Sequence, residues 1–205
     1  MLNALDLTGS ILSDEGLAYI AARVPCITQA KLSCIGGSVA GSDTGHLTDA
    51  IGPMLVRAWP HLKEIDLSGC VHIGDQVVLE IVQSGALTKC SLGGCNVSEK
   101  GTNAIANRCD ALLDLDLTGC VVKESALNNL LRGNPELSNL RLDFVDVEED
   151  FLHVLRRKYP KVTLFSRRQK HYEKPAARVW NVEVDEKGGK KKKKKGGKKK
   201  KKKKK

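Results

Sequence analysis

The chain reads as an α/β solenoid, a stack of short parallel strands backed by helices. Three observations point there. First, leucine-type residues open the same short phrase at Leu2, Ile27, Leu62, Leu87, Leu112, Leu137 and Val162, at steps of 25, 35, 25, 25, 25 and 25 residues. Second, the phrases match one another, as in LNALDL from Leu2, LKEIDL from Leu62, LTKCSL from Leu87, LLDLDL from Leu112 and LSNLRL from Leu137. Third, the apolar spacing within a unit switches from that of a strand to that of a helix. A fixed period of this size marks units that bury their apolar faces only against their neighbours. Such stacks are usually binding surfaces, which turns the functional reading away from catalysis.

The units follow in order from Leu2. Unit two opens at Ile27 and carries ten extra residues. Its segment 35–45, from Ile35-Gly36-Gly37 to Thr44-Gly45, is rich in small turn residues and reads as a loop projecting from one rim. A loop there can carry a contact or simply be a tolerated insertion. Unit five shows the pattern most fully. Leu112, Leu115 and Leu117 are spaced as a short strand facing the core, Thr118-Gly119-Cys120 is a turn, and Ser125-Ala126-Leu127 through Leu130-Leu131 has helical spacing. Gly133-Asn134-Pro135 ends that helix, because proline cannot continue it and disfavours the helical state of the preceding residue. Pro25, Pro60 and Pro160 punctuate other units at the same place. The repeat domain therefore spans 1–165. Residues 166–187 form a basic extended arm containing Arg167, Arg168, Lys170, Lys174 and Arg178, with apolar and polar residues alternating from Val179 to Val184. Residues 188–205 are a lysine-rich tail that self-repulsion should keep disordered.

A chain of 205 residues is long enough for one domain with a substantial core. Aromatic residues make up only 4%, so leucine and valine must fill the interior. No apolar run reaches the length of a membrane span. The N-terminus opens directly on a repeat phrase, without the basic segment and apolar stretch of a secretory signal. The net charge of +10 conceals two opposite parts. Lys190 to Lys205 holds 14 of the 34 basic residues, which leaves 20 against 24 acidic ones, so the body is about −4 and the tail +14.

Seven cysteines is an odd number. Cys70, Cys95 and Cys120 each stand eight residues after a unit's opening leucine, at equivalent positions roughly 4.8 Å apart from rung to rung. That distance does not exclude a disulfide, but equivalent side chains point the same way, which suits reduced, internal thiols in a cytosolic compartment. CxxC is absent, and His46, His61, His72, His153 and His171 share no spacing with one another or with the cysteines. No metal and no cofactor is expected.

The run Cys95-Asn96-Val97-Ser98-Glu99-Lys100-Gly101-Thr102-Asn103-Ala104-Ile105-Ala106-Asn107-Arg108-Cys109 resembles the cysteine-containing leucine-rich repeat. That repeat has a cysteine after its strand, a small polar residue followed by an acid, a glycine, a helix and a second cysteine. Ser13-Asp14-Glu15-Gly16-Leu17-Ala18 and Ile73-Gly74-Asp75 are similar at the corresponding place. Ser10 and Val145 replace the first cysteine in units one and six, so the match degrades toward the ends. The resemblance covers about 1–165 and implies a leucine-rich repeat solenoid, with strands on a concave face and helices on a convex one. Such repeats occur in F-box substrate receptors of ubiquitin ligases and in subunits of ciliary axonemes like those of the nexin–dynein regulatory complex. An F-box would precede the repeats. Only Met1 precedes Leu2, which weighs against the ligase reading.

Side chains between the core leucines should face solvent on the concave side. Ala4, Gln29, Glu64, Lys89, Asp114 and Asn139 form one row, and Asp6, Lys31, Asp66, Ser91, Asp116 and Arg141 the next. Glu64, Asp66, Asp114 and Asp116, with Asp6 farther off, read either as an acidic patch for a basic partner segment or as ordinary solvated positions. Nothing in the sequence adds a nucleophile or an orienting partner to these carboxylates, so no catalytic residue and no small-molecule substrate is expected. In the arm, Arg167, Arg168 and Trp180 are candidate partner anchors, although Trp180 suits equally well the role of capping the last unit's core. In the tail, Lys190, Lys191, Lys198 and Lys205 represent a stretch that attracts polyanions without selectivity, such as RNA or the acidic tails of tubulin. With no aromatic, arginine or lipidation cysteine, it neither reads bases nor anchors stably in a membrane.

The sequence thus predicts a non-enzymatic scaffold or adaptor within a multi-subunit complex, cytoplasmic and cytoskeletal. The resemblance points to an axonemal component whose tail attaches to microtubules. An adaptor of ubiquitin-ligase type without its own F-box and an RNA- or ribosome-associated factor are the alternatives, and a nuclear site is compatible with the lysine tail.

Overall fold

A computed structural model describes residues 2–34 and 46–167. Seven three-residue strands pair in parallel and in chain order, β1 (Ala4–Asp6), β2 (Gln29–Lys31), β3 (Glu64–Asp66), β4 (Lys89–Ser91), β5 (Asp114–Asp116), β6 (Asn139–Arg141) and β7 (Thr163–Phe165). Six helices alternate with them, α1 (Asp14–Ala21), α2 (Ile51–Ala58), α3 (Asp75–Ile81), α4 (Glu99–Arg108), α5 (Glu124–Gly133) and α6 (Glu149–Lys158). This α/β architecture is compatible with a solenoid. Each helix returns the chain so that the next strand joins the same edge, which is why the strand order equals the sequence order.

The register converts the sequence period into columns. Leu5, Ala30, Ile65, Cys90, Leu115, Leu140 and Leu164 are successive Cα partners. From Ala30 to Leu140 this column is buried, and it joins helix residues such as Leu17, Leu55, Ile105, Leu127 and Leu155 in one core. Burying each large aliphatic side chain stabilises the stack by roughly 1.5–3 kcal/mol. The residues on either side of each central one face solvent, as alternation in a strand requires.

Helices α2, α5 and α6 end as the prolines predict. Trp59, Asn134 and Tyr159 each donate a backbone N–H into the last turn, and Pro60, Pro135 and Pro160 follow at once. Pro25 behaves differently, since α1 already ends at Ala21. The segment between α1 and β2 turns instead just after the proline, through Cys26 at φ 72°. Gly133 marks where α5 meets α4, because a Cβ there would lie 2.0 Å from the Ala106 carbonyl oxygen.

All seven cysteines are free thiols. Cys70, Cys95 and Cys120 are buried and donate to the carbonyl oxygens of Leu32, Leu67 and Leu92, at 3.5, 3.1 and 3.2 Å. Each acceptor is the last strand leucine of the preceding unit, so the thiols tie one rung to the next. Burial, the largest cause, pushes Cys70 and Cys109 up to about 12 and Cys120 up to about 11, from an ordinary 9.0. Below pH 9 these thiols are protonated whether the chain is folded or not. Above it the unfolded chain releases protons that the folded chain retains, so stability falls as pH rises and levels off only beyond the folded pKa. Urea midpoints should therefore drop between about pH 8 and about pH 10.5. Cys120→Val should cost about 1 kcal/mol at neutral pH, because unit six already places Val145 at this position. The same substitution should also shrink the alkaline drop.

Candidate functional site

The solvent face of the sheet is the candidate binding surface. Its first row aligns Ala4, Gln29, Glu64, Lys89, Asp114, Asn139 and Thr163, and its second row Asp6, Lys31, Asp66, Ser91, Asp116, Arg141 and Phe165. The sheet's pairing alone fixes these neighbours, because equivalent residues of adjacent parallel strands lie about 4.8 Å apart.

The expected acidic cluster is divided. Glu64 and Asp66 belong to β3, Asp114 and Asp116 to β5, and β4 inserts Lys89 and Ser91 between them. Lys89 Nζ lies 3.6 Å from Glu64 Oε1, and Gln29 Nε2 donates to the same oxygen at 3.3 Å. Asn139 Nδ2 donates to Asp114. The three aspartates of the second row use Oδ1 locally: Asp6, Asp66 and Asp116 accept the backbone N–H of Thr8, Ser68 and Thr118 at 3.1, 2.9 and 2.8 Å. Each thereby caps the turn that leaves its strand. The hydroxyl and backbone N–H of Thr8, then the Lys31 ammonium, hold Asp6 below the usual carboxylate range. Lys31 Nζ is 3.7 Å from Asp6 Oδ2, with both side chains largely exposed. The centre of the face remains acidic, with four carboxylates around one lysine, but as two pairs two strands apart.

At the β6–β7 side the character reverses. The Arg141 guanidinium lies 5.4 Å from the centre of the Phe165 ring. Arg167 sits two residues beyond the expected end of the repeat domain, yet its carbonyl accepts the Phe144 N–H at 2.8 Å, so the ladder extends to it. Its Nε lies 3.8 Å from Asp143 Oδ2. Arg168, Trp180, Lys190, Lys191, Lys198 and Lys205 lie outside the described residues, as does the loop 35–45.

Sequence reasoning missed a second polar column, made by the acid at or just before each helix start. Asp14 accepts from Thr48 N at 2.9 Å and from its hydroxyl. Asp49 accepts from Gly74 N at 2.7 Å, and Asp75 from Ser98 N at 2.8 Å and Gly101 N at 3.0 Å. Glu99 accepts from Ser125 Oγ at 2.9 Å and lies 3.1 Å from Lys123 Nζ. Each acid thus binds the start of the next unit's helix region, Asp14, Asp49 and Asp75 at backbone N–H groups and Glu99 at side chains, and the signal was its recurrence once per unit. The histidines also needed the fold. His46 and His72 stand in different units, yet their rings lie 4.9 Å apart. Among the described residues, no three metal-ligating side chains converge and no helix is long and apolar enough to cross a membrane.

Compared with known proteins, the chain matches no family model and no curated sequence at a significant level.

The carboxylate column makes a stability prediction. Asp75→Ala removes the acceptor for two backbone N–H groups and a hydroxyl of the next unit. It should cost about 2–3 kcal/mol, read as a lower melting temperature. Asp66→Ala, on the exposed face, should cost clearly less, and equal losses would refute the assignment.

Proposed function

We propose that this chain is a leucine-rich repeat scaffold or adaptor that binds another protein across the solvent face of its sheet and carries out no chemistry of its own. One observation carries the reading: seven in-register strands hold two continuous rows of outward, mainly polar side chains on a frame fixed by the core beneath. Such a face offers many preorganised contacts and little ordering cost on binding. Its acidic centre suits a basic partner segment, through Glu64, Asp66, Asp114 and Asp116, with Asp6 contributing at the edge. The 14 lysines of the tail add salt-sensitive attachment to an acidic polymer. The resemblance to axonemal repeat proteins makes a microtubule-associated complex the specific form of this proposal, with the acidic tails of tubulin as the polymer.

Two measurements test it. Affinity purification of the full-length protein, with bound proteins identified by mass spectrometry, should recover a defined set of protein partners, and recovery of RNA alone would count against the reading. Co-sedimentation with microtubules should weaken steeply between about 50 and about 200 mM salt. It should be lost when the acidic tubulin tails are removed; unchanged sedimentation after that treatment rejects the polymer assignment.

A further inference from the structure

We propose that the β6–β7 side of the sheet is an anchoring site for an acidic polypeptide segment bearing an apolar or aromatic side chain. This rests on the binding-scaffold reading above and assigns one end of the face a partner chemistry opposite to that of its centre.

The first observation is a residue that breaks the repeat. In four other units the chain leaves its strand through a glycine in the left-handed region, namely Gly9, Gly69, Gly94 and Gly119, at φ 75, 79, 75 and 69°. Unit six places Phe144 there, at φ 62°. That conformation is unfavourable for a residue with a Cβ, and more so for a bulky one. Burial does not offset the strain, because the ring is 52% exposed. Strain that brings no internal packing is characteristic of positions kept for an external contact.

The second observation is a cleft on the β7 side, next to Phe144 through Arg167, whose carbonyl accepts the Phe144 N–H at 2.8 Å. Phe165 is also exposed, at 42%, with the Arg141 guanidinium over its ring. From α6, Arg156 reaches Ser166 Oγ at 3.0 Å and Glu149 Oε1 at 3.3 Å. Arg141, Asp143, Arg156, Phe165, Ser166 and Arg167 line an open cleft of about 400 Å³. Exposed aromatic rings beside arginines are the composition of interface hot spots.

Charge selects the occupant. Arg141, Arg156 and Arg167 line the cleft together with the carboxylate of Asp143, so the lining keeps a positive excess and favours an acidic ligand. A nucleic acid would also be acidic and could stack on the rings. Leu164 lines the cleft beside Phe165, which suits the apolar side chain of a polypeptide, and nucleic-acid binding is an outcome of the test.

Fluorescence anisotropy on the full-length protein tests this, with a labelled peptide of alternating Glu and Phe, a second peptide in which Ser replaces Phe, and an oligouridine of equal charge. Phe144→Gly restores the residue found in the other units, so it should melt at the same or a higher temperature. It should bind the Glu/Phe peptide about tenfold or more weakly than the parent, and Arg141→Gln should weaken it too. Phe144→Gly should leave the Glu/Ser peptide unaltered, since that peptide lacks the ring. Unchanged Glu/Phe affinity in Phe144→Gly overturns the proposal. So does oligouridine binding that exceeds peptide binding and is lost in Phe144→Gly, which would make the surface one for nucleic acid. The scaffold reading is judged separately, by whether protein partners co-purify.

Discussion

Everything in this fold depends on parallel pairing of equivalent strands in chain order. A three-residue strand has little stability alone, and a single unit cannot bury its apolar side. Stacked in register, seven such strands share one core, and every unit position becomes a column running through the molecule. The column of Ala30, Ile65, Cys90, Leu115 and Leu140 is one consequence. The thiols of Cys70, Cys95 and Cys120, each donating into the previous unit, are another. The acids from Asp14 to Glu99, each bonded to the residues that open the next unit's helix, are a third. Hydrophobic burial holds the stack together, while these two polar columns fix how far one rung is rotated and shifted against its neighbour.

The parts legible in the sequence were those written within a single unit. The opening leucine, the strand alternation and the proline after Trp59, Asn134 or Tyr159 are local signals, and six strands and three of the helix ends fall where they indicate, whereas β7 falls one residue early and places Leu164 rather than Phe165 in the inner column. The outward rows were legible for the same reason. What lay hidden was contact between units. Lys89 is an ordinary exposed lysine in the sequence, yet the stack sets it between Glu64 and Asp114 and divides the acidic surface. The acid at each helix start was visible as part of a repeat, but its partner lies in the following unit. The pairing of His46 with His72 also joins different units. The role of Pro25 was misjudged because α1 stops early and the chain needs Cys26 in the left-handed region to reach β2.

In a repeating structure, departures from the repeat carry more functional information than the repeat itself. Leucine at a core position and glycine at a tight turn are explained by folding alone. Val145 in place of the thiol changes the packing modestly and needs no further account. Phe144 is different, since it replaces a residue the backbone favours with one it disfavours, and leaves half of the ring in water. Phe165 and Arg141 depart in the same sense, introducing a ring and a guanidinium where units one, three and five hold Asp6, Asp66 and Asp116.

The proposed binding face is therefore polar along the stack. Its centre, over β3 to β5, bears four carboxylates and one lysine, whereas its β6–β7 side bears arginines and exposed rings. A partner of uniform charge would be attracted by one region and repelled by the other. Like-charge juxtaposition costs enough to reject wrong arrangements, while matched charges mainly set orientation and the rate of encounter. A partner lying along this face in the proposed complex must then run from basic to acidic in one direction only, which fixes its orientation on the sheet. The lysine tail, being uniform, adds attraction but no direction.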